Sequence, residues 1–231
     1  MRKNTWKTYI FEFLSIFVAV VSAFALSNWN DNRNNNHSEQ KILTEIANGI
    51  SIDQKDFKGN ITGHTTSLIA NKKFRELLLG KTMNKDSVAV YYISLFRDYT
   101  PVINRSGYES LKESGLKTIS NDSLRFEIIS LYDYHYGIID ILDKVNEMQS
   151  FENYFSPVNN LLHPYMEFDS NGNLIHINNP LGLSAIQRKE IQSYLWRLQK
   201  NRMLKLSRYK SIMQVMIKVK KNVVREIQNK R

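Results

Sequence analysis

The chain has 231 residues, 42% of them apolar, which is enough to build a core and too much for general disorder. It contains no cysteine, which excludes disulfides, thiolate metal sites, iron–sulfur clusters and cysteine nucleophiles. The formal charge of +10 is uneven: Leu183 to Arg231 holds fourteen Lys and Arg against Glu190 and Glu226. The region from Arg33 to Gly182 is therefore mildly acidic, and the charge describes one basic helix beside an acidic body, not a uniformly basic binder of nucleic acid.

At the N-terminus, Phe13 to Leu26 carries no charge, and Tyr9, Ile10 and Phe11 extend the apolar run past Glu12. At ~1.5 Å per residue, Tyr9 to Leu26 covers roughly 27 Å, close to the ~30 Å hydrocarbon core of a bilayer. The expectation is a transmembrane helix over 9–28. A short cytoplasmic segment, 1–8, precedes it, and an extramembrane domain, 29–231, follows. Trp6 and Tyr9 at one end and Trp29 at the other stand where interfacial aromatic residues belong. Arg2, Lys3 and Lys7 before the span outnumber Arg33 and Lys41 after it, so the N-terminus is expected inside and the main domain in the periplasm of a bacterial inner membrane. Two other readings compete. Ala23-Phe24-Ala25 fits the small-x-small cleavage pattern of a signal peptide, and a run of this length also suits a soluble core helix. The aromatic flanks and Glu12 fit an anchor better. Glu12 lies within about one turn of the inner end, where it is expected to reach the interface and pair with Lys7 or a headgroup, not to act as a proton relay.

Asn30 to Asn36 reads as a linker or as a hydrated continuation of the membrane helix. From about 37 to 79, Ile42, Ile46, Ile50, Phe57, Ile61, His64, Leu68 and Phe74 predict one long helix or two end to end. Gly49, Gly59 and Gly63 weigh against continuity, and Gly80 is a plausible stop. A helix at about 85–99 is expected to end before Pro101. A short helix at about 106–113 follows, with Gly115 as its C-cap, and Ser120 or Asn121 caps the next helix. That helix, to about Gln149, carries Leu124, Ile128, Leu131, His135, Ile138, Leu142 and Val145 in steps of four and three. His135 on this stripe is expected to be a hydrogen-bonded core histidine, since no second metal ligand stands at helical spacing from it.

The segment near 165–177 predicts a β-hairpin about the Asn171-Gly172 turn. Asp169, Asn171 and Asn173 resemble the first ligands of a calcium loop. However, Leu174 stands where that loop needs glycine and Pro180 where it needs glutamate, so turn chemistry is the better reading. The final helix, 183–230, is expected to start at Ser184 or a neighbour, with Leu206, Tyr209, Met213, Met216, Val223 and Ile227 as its apolar stripe. A one-sided helix of about 70 Å needs a partner. The earlier long helix supplies one in an antiparallel, coiled-coil-like bundle. The fold class expected is thus mainly α: one N-terminal transmembrane helix plus a long-helix antiparallel bundle with a small β-hairpin.

The dinucleotide and phosphate-loop glycine patterns, H-E-x-x-H and G-x-S-x-G are all absent, and His37, His64, His135, His163 and His176 have no metal spacing. No catalytic residue, metal or cofactor is assigned. Two segments resemble an uncharacterised bacterial family of small single-span proteins with an N-terminal anchor followed by an Asn-Trp-Asn motif. The first is Glu12-x-x-x…Ala25-Leu26-x-Asn28-Trp29-Asn30. The second is Tyr108-x-x-Leu111-Lys112-x-Ser114-Gly115…Ile119-Ser120-Asn121-x-x-Leu124-Arg125-x-x-Ile128…Leu131-Tyr132. The resemblance implies an uncleaved anchor and a helical extramembrane domain, and no activity.

The function expected is that of a membrane-anchored helical interaction or scaffold protein, with the lipid bilayer and a protein partner or second copy as its partners. One alternative is an extracytoplasmic ligand-sensing bundle that signals through another protein. Another is binding of anionic lipid, or less readily nucleic acid, by the basic helix. If that helix returns to the bilayer, Lys218, Lys220, Lys221, Arg225, Lys230 and Arg231 are the candidate headgroup contacts.

Overall fold

A computed structural model describes residues 5–144 and 155–230. It is mainly helical, with a two-stranded antiparallel sheet and a long N-terminal helix whose first part is apolar. That helix, α1, runs Thr5–Leu78 without interruption, about 110 Å. Gly49, Gly59 and Gly63 do not break it, and Asn30–Asn36 is helical throughout, continuing the apolar helix instead of forming a linker. Every residue from Tyr9 to Ser38 is exposed, and burial begins at Glu39. The chain leaves α1 through Gly80 at φ +90°, a backbone region that glycine enters without a Cβ penalty.

The last helix, α7, spans Ala185–Asn229 and starts on a capping box, in which Ser184 accepts from the Gln187 amide and Gln187 accepts from the Ser184 amide. It lies antiparallel to α1: Lys230 meets Glu39, Arg202 meets Ser67, Asn71 bonds the Leu195 carbonyl, and Arg188 bonds the Leu78 carbonyl. The buried positions of both helices alternate in steps of three and four. In α1 the run along the seam is Glu39, Leu43, Ile46, Ile50, Asp53, Phe57, Asn60, His64, Ser67, Asn71, Phe74 and Leu78, with Ile42, Ala47, Ala70 and Leu77 also buried beside it; in α7 it is Ile191, Leu195, Leu198, Arg202, Lys205, Tyr209, Ile212, Met216, Val219 and Val223, with Asn201 beside it. This is the 3.5-residue period of paired helices. Leu206, Met213 and Ile227, expected in the inner stripe, are only half-buried.

Two apolar cores sit along the seam. One joins Leu43–Phe57 of α1 and Tyr209–Val223 of α7 to the helices below; the other joins Ala70–Leu78 and Ile191–Leu198 to the elements at the far end. A polar belt containing Asn60, His64, Ser67, Arg202 and Lys205 separates them.

The segment between the long helices covers one side of the pair. Helix α2 (Lys85–Phe96) is capped by Asn84 and leads into the loop 97–101. Helix α3 (Ser106–Ser114) crosses α1 at Gly107, where a Cβ would stand 2.7 Å from the Ile46 backbone nitrogen. After Gly115 and the 3₁₀ turn Leu116–Thr118, Asn121 caps α4 (Asp122–Ile129) by accepting from the Leu124 amide. A π-helical turn, Ser130–His135, joins α4 to α5 (Tyr136–Lys144). The Tyr136 amide donates to the Leu131 carbonyl five residues back, which inserts one extra residue into the turn. The stripe is thereby shifted by one. Leu124, Ile128 and Leu131 are buried as expected, and then Tyr132, Tyr136 and Ile139 are buried in place of His135, Ile138 and Leu142, which are half-buried. Val145 and the expected end of this helix at Gln149 lie outside the described residues.

Beyond come α6 (Ser156–Leu162), which the sequence reading missed, the 3₁₀ turn His163–Tyr165, and strands β1 (Met166–Phe168) and β2 (Leu174–Ile177). The strands pair with Met166 opposite Ile177. Asp169 closes their turn by accepting from the Asn171 and Asn173 amides at 2.9 and 2.8 Å. Ile177 and Leu181 join the far core.

The shift of register is open to measurement by chemical denaturation of the full-length chain. Leu131→Ala and Ile139→Ala should each cost about 2–5 kcal/mol, as large-to-small core changes do, and Ile138→Ala distinctly less. Equal costs at 138 and 139 would contradict the π-turn.

Candidate functional site

The polar belt is built from three elements. Arg202, wholly buried on α7, donates from Nε to Ser67 Oγ at 3.1 Å, from Nη1 to Asp98 Oδ1 at 2.9 Å and from Nη2 to the Arg97 carbonyl at 2.7 Å. Lys205, one turn on, donates to both Asp98 oxygens at 3.0 and 2.7 Å. Burial opposes ionisation of Asp98, but the Lys205 hydrogen bond and the charges of Lys205 and Arg202 outweigh it and hold the carboxyl below its ordinary range. Buried charges persist only when paired in this way.

The loop that delivers Asp98 is seated by a glycine. The Tyr99 ring occupies the place where a Cβ on Gly63 would stand, 2.3 Å away. The Tyr99 carbonyl accepts from His64 Nε2 at 2.8 Å and from the Tyr209 hydroxyl at 3.3 Å. With Nε2 donating, Nδ1 holds the lone pair, and it has no hydrogen-bond partner among the described residues. Burial first, and the Arg202 charge next, push the His64 pKa down to about 4.

Two further polar layers punctuate the seam. Asp53, fully buried in α1, accepts from the Asn104 amide at 2.8 Å and the Tyr136 hydroxyl at 2.9 Å, with its pKa raised by burial. Tyr136 packs edge-on against Tyr132, and Tyr132 stacks on Tyr108 at 4.5 Å. At the base, Glu39 accepts from the Ser120 amide at 3.0 Å and from Lys230 Nζ, while Gln40 donates to the Lys230 carbonyl at 2.7 Å. This clasp fixes the end of α7 to α1 where burial begins. The sequence reading placed His64 on the stripe of its helix but missed the other charged and amide members of these layers, because such residues at seam positions look like interruptions of an apolar stripe. The signal that would have found them is the unbroken three-and-four spacing itself.

The candidate residues named from sequence fall in two places. Trp6, Tyr9, Glu12 and Trp29 are all exposed on α1, and the Arg33 guanidinium lies over the Trp29 ring at 5.7 Å; the Lys7 side chain lies outside the described residues. Of the basic set, Lys218 pairs with Glu127 at 2.8 Å and Lys230 belongs to the Glu39 clasp. Lys220 is half-buried, Lys221 and Arg225 are exposed, and Arg231 lies outside the described residues. His135 is half-buried, its pKa lowered by burial, in a recess shared with Phe126 and Val219. Among the described residues no group of His, Asp and Glu is arranged to hold a metal.

Comparison with protein-family models, with curated proteins and with solved structures finds no match for this chain.

His64 gives the belt a pH signature. Its folded pKa lies below the unfolded value near 6.5, so the unfolded state binds the extra proton between about pH 6.5 and 4. Stability is complete above that window and is lost as pH falls through it, by about 2 kcal/mol between pH 7.5 and 5. His135 works in the same direction and Asp53 in the opposite one, so the difference between parent and His64→Gln isolates the belt. The melting temperature of the variant should fall less on going to pH 5; parallel curves would show that His64 does not titrate across folding. In addition, Asp98→Ala, which removes the carboxylate shared by two buried cations, should cost about 3 kcal/mol or more.

Proposed function

We propose that this chain is a membrane-anchored helical interaction protein in which α1 is at once the transmembrane span, the stalk and a core element of the extramembrane body. The observation that carries the reading is the state of the apolar stretch from Tyr9 to Leu26. It is long and apolar enough to cross a bilayer, and none of it is buried against the rest of the chain. A soluble core helix would be covered by its own protein, whereas Phe13, Phe17, Val21 and Phe24 are covered by none of the described residues and are left for lipid or another molecule. Trp6, Tyr9 and Trp29 bracket the stretch as interfacial anchors do. The helix continues from Leu26 into the bundle with no break, which favours an anchor over a cleaved leader and holds the body at a fixed height. The excess of Arg and Lys before the span supports N-terminus inside and the body in the periplasm of a bacterial inner membrane, and the family resemblance implies the same uncleaved anchor.

This geometry argues against a headgroup role for the basic residues. With Trp29 at the interface, Glu39 and its partner Lys230 stand about 15 Å farther along α1, and Lys218 about 18 Å beyond that. Both distances exceed the ~8 Å screening length at physiological salt. The basic helix is therefore read as a surface for a protein partner, not for the bilayer that anchors it.

The full-length chain should stay in the membrane fraction after carbonate washing, and an alkaline phosphatase fused after Arg231 should be active. Release of a soluble form beginning near Leu26 would replace the anchor by a signal peptide, and an inactive fusion on a retained chain would reverse the topology.

A further inference from the structure

Helix α7 carries a second stripe that the fold leaves open. Trp196, Met203, Ile217 and Val224 recur at seven-residue intervals or multiples of seven and are 54%, 50%, 48% and 37% exposed. Half-buried Leu206, Met213 and Ile227 lie beside this stripe. Across the seam, α1 contributes Gln54, Ile61 and Leu68 to the same side, all half-buried. This is the side away from the covering helices: α4 grips the opposite flank of α7, where Glu127 bonds Lys218 and Asn222. Near the base the two helices leave an open, mainly apolar depression of about 550 Å³ between Gln54, Ile217 and Val224.

The charges on this side are of one sign. Along the two positions of each heptad that face it, from Thr44 to Arg75 in α1 and from Trp196 to Ile227 in α7, there is no Asp or Glu. Lys58, Lys72, Lys210 and Lys220 stand there instead, and Lys221 and Arg225 rim the depression. An amphipathic helix laid along the groove would meet apolar rungs about 10 Å apart, interrupted at Lys210, where Leu206 and Met213 fill the gap from the side, between rows of cations. A second copy docking by the same face would set like charges against each other, and a bilayer crossed by α1 lies at the end of this groove, not along it.

We infer that the open side of the α1–α7 pair is a docking groove for an acidic amphipathic helix of a partner protein. The proposal rests on the reading of this chain as an interaction protein and gives that partner its chemistry. The groove's apolar rungs, Met203, Ile217 and Val224, take the partner's apolar seam, and Lys210, Lys220, Lys221 and Arg225 pair with its flanking carboxylates. Such flanking charges set partner choice and orientation in paired helices.

The test uses the full-length chain, in zwitterionic nanodiscs if it inserts or in buffer if it does not. The probe is a fluorescein-labelled 28-residue amphipathic helix with two leucines per heptad and glutamate at its charged positions. A matched peptide carries lysine in place of glutamate. By fluorescence anisotropy the glutamate peptide should bind at least tenfold more tightly than the lysine peptide and weaken at least tenfold between 50 and 300 mM NaCl. The double substitution Ile217→Glu with Val224→Glu should weaken it at least tenfold, with helical circular dichroism unchanged because both side chains are exposed. Equal binding of the two peptides, or undiminished binding to the double variant, overturns the proposal. So does a dimer in light scattering that the double variant separates, which would assign the face to a second copy. Binding of phosphatidylglycerol vesicles or DNA through these residues, with no peptide bound, overturns it as well. Carbonate extraction reports on the anchor separately, so a chain that is soluble yet binds the peptide would lose the membrane reading and keep the groove.

Discussion

The seam between α1 and α7 is the contact from which the rest of the molecule follows. Each helix alone would expose a long apolar stripe in water, and most of a helix's stability in a protein comes from packing such a face; packed antiparallel, each covers the other. The pairing runs from Glu39 and Lys230 at one end to Leu78 and Arg188 at the other. Because helices this long can pair in several registers, something other than apolar burial has to select one. The polar layers supply that selection. Arg202 reaches Ser67, Arg97 and Asp98 together only in the observed register, and a slip of one heptad would bury two cations without a carboxylate. A buried ion pair of this kind adds little net stability, but it penalises the alternatives heavily, which is the best-attested use of polar residues at seam positions.

The pair is also asymmetric, and the asymmetry has consequences for function. The chain between the long helices packs on one flank, using Gly63 and Gly107 to admit Tyr99 and the backbone of α3. The other flank receives no covering element among the described residues. A two-helix seam with one covered side is an incomplete bundle, and its uncovered side is both apolar and free of acids. The segment of α1 below Glu39 likewise meets no other element among the described residues, and its stretch Asn30–Asn36 is poor in helix-favouring residues. Its helicity is carried by continuity with the bundle above and, in the reading proposed, with the span below.

The segment from Tyr108 to Tyr132 fastens the lower flank. Tyr108 stacks on Tyr132, and its hydroxyl donates to Asp133 at 2.8 Å. Gly115 makes its turn at φ +90°, Ile119 is fully buried, and Arg125 donates to the Ile119 carbonyl at 2.9 Å. Ser120 reaches Glu39 and Asn121 caps α4. Each of these contacts helps hold α3 and α4 to the base of the seam.

Local chemistry was enough to read several features from the chain alone. The long apolar run, the caps at Ser184 and Asn121, the stops at Gly80 and Gly115, the Asn-Gly hairpin and the uneven charge each depend on a few neighbouring residues whose conformational preferences are intrinsic. Other features depended on partners far away in sequence. Arg202 and Lys205 were not singled out because Asp98, roughly a hundred residues earlier, is invisible to a helical-periodicity argument. The inner stripe of α7 was legible only in part: Tyr209, Met216 and Val223 are buried as expected, but Leu206, Met213 and Ile227 are as apolar as Ile212 and Val219, and only the position of α1 tells them apart. The one-residue shift after Leu131 arose because the Tyr108–Tyr132–Tyr136 stack draws both tyrosines inward, and a π-turn absorbs the extra residue. Periodicity thus determined that two long helices would pair. Which face of each turned inward, where charge could be buried and which side stayed open were decided only when side chains distant in sequence came into contact.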